Sequence, residues 1–197
     1  MKKTSIKILV ECAVMIALAT VLSIVKVYEA PLGGSVTLFS MIPIILISFR
    51  HDIKWALGSA FVYSVLQLLL GLGSVAYVPT AAGIVLCVLF DYTIAFTALG
   101  LAGICKKIKA DILVQVIVGT LFVCILRYIS HVVSGAVVWY EITKLGGWNE
   151  LVAKVSMWPY SLIYNAQYMV PETIITVIGA PAIAKVIAVI SKKKTLV

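Results

Sequence analysis

The chain has 197 residues, 62% of them hydrophobic and 12% charged, with a formal net charge of +8 and a mean hydropathy of +1.13. Soluble domains carry roughly 25% charged residues, so this composition excludes an ordinary water-soluble fold and indicates an integral membrane protein. The basic excess lies in short connections, where it acts as a topology signal and an attraction to anionic lipid, and no nucleic-acid partner is inferred from it.

Apolar stretches cover residues 8–25, 36–49, 55–72, 80–104, 112–139 and 158–190. They predict an all-α membrane protein: a six-transmembrane-helix bundle forming one integral membrane domain over 1–197, with no repeat, linker or soluble module. The first stretch begins like a secretory signal, with basic residues, an apolar run and Ala17-Leu18-Ala19. Glu11 inside the run argues for an uncleaved first helix, as does the parity of the bundle. Glu11 stands one turn after Lys7, which predicts a local ion pair. Ala13 and Ala17 make a small-xxx-small face, extended by Ala19, where another helix can approach closely.

The second stretch is short for a span of about 20 residues, with Gly33, Gly34 and Pro43 in or beside it. It is expected to survive by packing among its neighbours. Two connections, 27–35 and 140–157, are longer than the rest and are either passive links or lids. The sixth stretch has Pro159 near its first turn, Pro171 in its interior and Gly179 with Pro181 marking a second break. Pro171 predicts a kink, because its ring removes the amide that would meet the Gln167 carbonyl.

Lys2, Lys3, Lys7, Arg50, Lys54, Lys106, Lys107, Lys109 and Lys192 to Lys194 fall on the termini and even-numbered connections; the odd-numbered ones hold Lys26, Lys144 and Lys154. By the positive-inside rule both N- and C-termini are cytoplasmic. Cys12, Cys87, Cys105 and Cys124 lie in helices without CxxC or histidine spacing, so they are expected to be small buried residues, with no metal site and no disulfide framework.

Ionisable residues within the apolar stretches are Glu11, Asp91, Arg127, His131, Glu172 and Lys185. Lys185 is near a helix end and can snorkel. His131, Gly135 and Trp139 recur every four residues, with Arg127 one turn before them. Chain direction brings Asp91, His131, Tyr160 and Asn165 into the outer half of the bundle, where Tyr92, Trp139, Trp158 and Tyr164 also fall. An Asp91–Arg127 pair gluing two helices is one explanation, and interfacial anchoring accounts for Trp158, Trp148 and Tyr140. Several unlike polar groups at one depth favour a ligand site, and a carboxylate beside aromatic faces suits a flat cation. Glu172 either meets backbone freed by the Pro171 kink or faces a cavity.

These blocks resemble the thiamine-specific substrate-binding subunits, or S components, of energy-coupling factor (ECF) transporters. The resemblance is carried by Gly33 to Leu38, Met41-Ile42-Pro43, Ile47 to Arg50, Asp91-Tyr92, His131 to Trp139, Tyr160 to Asn165 and Pro171-Glu172. It implies a multi-pass protein of the bacterial cell membrane that binds thiamine near the extracellular face. It further implies partnership with a membrane coupling (T) protein and two cytoplasmic ATPase subunits, which hydrolyse the ATP; this chain then has no catalytic residues and no cofactor. His131, Gly135 and Trp139 match pocket positions, as do Tyr160 and Asn165. Asp91 stands where the family carries an acidic residue, often glutamate, and Tyr92 follows it. Tyr77 loosely matches a pocket tyrosine, and Ala13 with Ala17 matches the family's contact for the coupling protein. By this resemblance Trp139 stacks on an aromatic ring, Asp91 and Asn165 hydrogen-bond the aminopyrimidine or balance the thiazolium, and His131 and Tyr160 fix orientation. One departure is that 27–35 lacks the tryptophan with which the family's first outer loop often caps the ligand.

The chain contains no GxxxxGK[ST] phosphate loop, so it is not itself a P-loop ATPase. The rival readings are an S component for another heteroaromatic vitamin or precursor, and a stand-alone carrier coupling protons through Asp91 or Glu172.

Overall fold

Long apolar runs become long helices, because in lipid each backbone N–H and C=O must be satisfied within its own segment. The computed structural model describes the backbone of residues 3–195 and the side chains of residues 5–190; Lys2 and the side chains of Lys3 and Lys192 to Lys194, on which part of the topology argument rests, lie outside the described residues. Among the described residues, five helical segments are long and apolar enough to cross a membrane: Ser5–Ile24, Ile53–Leu70, Ala81–Lys107, Ile112–Gly146 and Met157–Ile190.

In chain order, α1 (Lys3–Ile24) leads into a two-stranded antiparallel hairpin of β1 (Lys26–Glu29) and β2 (Ser35–Thr37), a small addition to the expected all-α fold. The turn uses Gly33 at φ 98° and Gly34 at φ 88°, a region that costs a side-chain-bearing residue free energy. The expected second membrane helix over 36–49 is α2 (Ile42–Arg50), only 9 residues long. At about 1.5 Å per residue it reaches roughly 14 Å, less than half of a ~30 Å hydrocarbon layer. Pro43 sits in its first turn, and every residue from Pro43 to Phe49 is buried.

Helix α3 (Ile53–Leu70) follows, then a single turn at Leu72–Val75 and α4 (Ala81–Lys107). The Thr80 hydroxyl caps the start of α4, accepting from the Gly83 amide at 3.1 Å. Helix α5 (Ile112–Gly146) ends at Gly147, whose φ of 63° forms a left-handed cap. Much of the long connection expected over 140–157 is helical, split between the end of α5 and a turn at Leu151–Lys154. Helix α6 (Met157–Ile178) continues through Pro171, and the break falls at Gly179, before α7 (Ala180–Thr195).

Two apolar clusters organise the bundle. Around α2, the residues Met41, Ile44, Ile45, Ile47 and Phe49 pack with Leu99 and with small residues of neighbouring helices, including Cys12, Ala19, Ala56, Ala60 and Ala102. At the other end the cluster is aromatic: Trp139, Tyr160, Tyr164 and Tyr168 with Val36, Val138 and Val152.

Three expectations are corrected here. Glu11 pairs with Arg50 (2.8 Å) and His51 (3.3 Å) across to α2, not with Lys7; a partner on another helix closes the bundle as well as neutralising the charge. Ala19 is fully buried against the α2 cluster, so it does not extend the exposed face of Ala13 and Ala17. A two-residue offset turns a helical side chain to the opposite side. Cys12, Cys87 and Cys124 are buried, but Cys105 is partly exposed.

Candidate binding site

Both helices that carry the central polar residues widen from α to π geometry where those residues sit. In α4 the π segment is Val88–Ile94, containing Asp91 and Tyr92; in α5 it is Gly135–Trp139. Such segments are rare and concentrate at functional sites. An α-helix has 3.6 residues per turn, so a stripe at every fourth residue drifts by about 40° per step. The wider turn counters that drift and keeps Trp139 on the side of His131.

A cavity of about 740 Å³ opens at this end of the bundle. Asp91, Tyr92, His131, Gly135, Trp139, Tyr160, Asn165 and Tyr77 all line it. So do Arg127, Tyr164 and Tyr168, together with the hairpin turn at Leu32, Gly33 and Gly34.

Asp91 is the centre of the polar wall. Its Oδ1 accepts from His131 Nδ1 at 2.9 Å; its Oδ2 accepts from Ser134 Oγ at 2.5 Å and Trp139 Nε1 at 2.8 Å, with Cys87 Sγ at 3.5 Å. Hydrogen bonds to a charged group are the stronger kind, so this carboxylate locks an imidazole and an indole into one surface. Arg127 does not pair with Asp91, which excludes the simple helix-gluing ion pair. Its Nε donates to His131 Nε2 at 3.3 Å, one terminal nitrogen reaches Met41 Sδ at 3.0 Å, and the guanidinium lies 4.3 Å from the Phe96 ring centroid.

Asn165 is buried and internally engaged. Its amide nitrogen donates to the Ser161 carbonyl (2.8 Å), the Ser161 hydroxyl (3.0 Å) and the His131 carbonyl (3.3 Å), and its oxygen accepts from Tyr168. Gly135 lies opposite: a Cβ there would overlap Ser161 Oγ and come within 2.7 Å of Asn165 Nδ2. Gly135 therefore permits close approach of α5 and α6 as much as it lines the cavity. Tyr160 donates to Thr143 Oγ1 at 3.2 Å and stacks on Tyr164 with ring centroids 5.7 Å apart. Tyr92 donates to the Gly71 carbonyl at 3.2 Å. Tyr77 is at the exposed rim, edge-on to Trp148 at 5.4 Å. Trp158 is exposed, as an interfacial anchor would be, whereas Tyr140 ties its hydroxyl to the Val152 and Val155 carbonyls.

Tyr164, Tyr168 and Glu172 follow Tyr160 at four-residue spacing and secure the hairpin. Tyr164 Oη accepts from the Leu32 amide and donates to the Gly33 carbonyl, both at 3.2 Å. Gly34 lies against the Tyr168 ring where a Cβ would not fit. Glu172, 1% exposed, accepts from the Thr37 amide at 2.6 Å and the Thr37 hydroxyl at 2.8 Å. Its role is thus to hold the first connection onto α6, neither of the two uses anticipated for it. Tyr168, Ser134 and Cys87 are not among the pocket residues expected from the sequence. The four-residue recurrence from Tyr160 to Glu172 was the available signal for Tyr168.

The geometry defines a membrane protein with a cavity at one end of a helical bundle, walled by aromatic rings around a hydrogen-bonded carboxylate. Comparison with known proteins gives the particular family. The chain belongs to the thiamine transporter protein family, whose model matches residues 9–192. It is 36% identical over 181 residues to the thiamine transporter ThiT of Bacillus subtilis, covering 86% of each chain. The corresponding ThiT of Lacticaseibacillus paracasei is 25% identical over 185 residues, covering 87% of this chain and 83% of that one. The solved structure of ThiT from Listeria monocytogenes shares the fold at a TM-score of 0.69 and 21% identity, covering 93% of this chain and 96% of that one. The family is one of transporters, not enzymes, and the protein is a multi-pass component of the bacterial cell membrane.

Proposed function

We propose that this chain is the high-affinity thiamine-binding subunit of an ECF-type uptake transporter and takes thiamine into the cavity beside Asp91. One observation carries the reading. Eight residues named for the pocket from sequence, on α4, α5, α6 and the turn before α4, all line the same 740 Å³ cavity. Thiamine is a cation with two flat heteroaromatic rings, which suits a carboxylate bordered by aromatic faces.

In this arrangement Trp139 and Tyr164 offer ring faces and Asp91 supplies the anionic acceptor. Tyr160 and Tyr92 shape the walls, and Tyr77 shapes the rim. Asn165 and Gly135 act by setting the approach of α5 and α6. His131 orients Asp91. The chain works as one domain with six helical segments crossing or entering the membrane, α2 being the short one, both termini cytoplasmic and the cavity extracellular. Ala13 and Ala17, exposed on α1, offer a shallow strip for the membrane coupling protein, while two cytoplasmic ATPases drive the cycle.

Isothermal titration of the purified protein with thiamine tests the proposal, with a panel of other heteroaromatic vitamins run in competition. Saturable binding that Trp139→Ala weakens at least tenfold is expected, since losing an aromatic contact and its hydrogen bond removes about 1.4 kcal/mol or more. Absence of thiamine binding, or preference for another vitamin in the panel, would refute it.

A further inference from the structure

Arg127 is 7% exposed and forms no ion pair with a carboxylate among the described residues. A buried guanidinium without a direct counter-charge is costly, and such a residue inside a membrane segment calls for a functional explanation. Its contacts supply one. Guanidinium nitrogens only donate, so His131 Nε2, at 3.3 Å from Arg127 Nε, must be the accepting nitrogen of the imidazole. The proton of a neutral ring is then on Nδ1, which faces Asp91 Oδ1 at 2.9 Å. The chain Arg127–His131–Asp91 has one consistent direction of donation.

From this geometry we propose that Arg127 is a positioning residue: it sets the His131 tautomer so that His131 donates to Asp91 and leaves that carboxylate without a direct ion pair at the cavity wall. A direct Arg127–Asp91 pair would neutralise the charge where a cationic ligand binds. Interposing a neutral imidazole orients the carboxylate while keeping the guanidinium one ring away. Met41 Sδ accepts from one terminal nitrogen and the Phe96 face packs against the guanidinium, which holds it away from Asp91. Both ring nitrogens of His131 are spent in this relay, so it has no further hydrogen bond to offer a ligand. The ligand-binding consequence rests on the thiamine reading above; the tautomer does not.

The test is nitrogen NMR of full-length protein labelled with 15N-histidine at neutral pH, the chain's other histidine, His51, being removed by His51→Gln for assignment. The wild-type His131 signal is expected to show a protonated Nδ1 and an unprotonated Nε2. A protonated Nε2, whether alone or as imidazolium, would overturn the inference without any further variant. Arg127→Met should shift the ring toward the other tautomer or a mixture, and weaken thiamine binding about tenfold or more, the scale of losing a charge-linked hydrogen bond. Arg127→Lys, which keeps a donor and a charge, should restore the wild-type tautomer. An unchanged tautomer in folded Arg127→Met would also refute the proposal. If wild-type protein fails to bind thiamine while the NMR pattern is as expected, the functional reading falls and the tautomer assignment stands.

Discussion

The two ends of this bundle solve the problem of packing in lipid differently. Around α2, aliphatic side chains meet alanines and glycines, and backbones approach closely: a Cβ on Gly103 would overlap the Ser48 carbonyl oxygen, and one on Gly100 would lie 2.8 Å from that of Ala56. That is packing by shape, in which small residues substitute for the missing hydrophobic drive between helices. The cavity end packs by shared polar groups instead. Asp91 joins α4 to three side chains of α5, Asn165 joins α6 to α5, and Glu172 joins α6 to the hairpin. The first arrangement brings helix backbones into direct contact. The second surrounds empty space with groups that are oriented before anything binds, which lowers the ordering cost of binding.

Substitutions that separate the two ends break this contrast if it is wrong. The largest effect is expected from Asp91→Asn, which keeps the shape but removes the charge and turns an acceptor into a donor facing Ser134 and Trp139. Thiamine affinity should fall about a hundredfold, roughly 2.7 kcal/mol, in a calorimetric titration; a loss below threefold would remove Asp91 from the site. Gly103→Ala, at the opposite end, should cost about 1–3 kcal/mol of stability through overpacking. It should appear as a lower unfolding temperature in detergent, with thiamine affinity of the folded fraction unchanged. Altered affinity at equal stability would show that the two ends are not separable in this way.

A smaller and more local effect is expected for Glu172→Gln. The carboxylate accepts from two Thr37 donors, and a neutral amide accepts more weakly, by about 1 kcal/mol. Hydrogen exchange at the Thr37 amide should accelerate several-fold while exchange in α2 stays as it was. Unchanged protection at Thr37 would contradict the role given to Glu172. The smallest effect belongs to Tyr77→Ala: this side chain is 58% exposed and touches Trp148 at the rim, so affinity should change by no more than about 0.5 kcal/mol. A tenfold loss in the same titration would move Tyr77 from the rim into the ligand's contact shell.

Much of the cavity wall could be read from the chain because its residues are conspicuous in a lipid-facing context. Asp91, His131 and Arg127 are ionisable groups in apolar helices, and Trp139 shares their stripe. Tyr168 carries no charge to mark it among the aromatic residues of α6, and Ser134 and Cys87 are small helix residues; only the packing of α4 on α5 turns the last two toward Asp91. The π turns depend on the register between helices, which no single helix's periodicity encodes. Fold was legible where hydrophobic length decides, as in α1, α3, α4, α5 and α6. It was less so for 36–49, where the strand ends at Thr37, Phe39 turns the chain at φ 62° and a 9-residue helix starts at Ile42 with Pro43 in its first turn. The Lys7–Glu11 expectation shows the same limit, since a neighbour in sequence is outcompeted by Arg50 at the end of α2 and His51 just past it.

The central claim is that thiamine binds against Trp139 in the aromatic cavity. Tryptophan fluorescence during a thiamine titration tests it most directly, comparing wild type with Trp139→Phe and with Trp55→Phe, whose tryptophan belongs to the α2 end. Saturable quenching that persists in Trp55→Phe and is largely lost in Trp139→Phe is the predicted result. Quenching that is undiminished in Trp139→Phe would contradict the account.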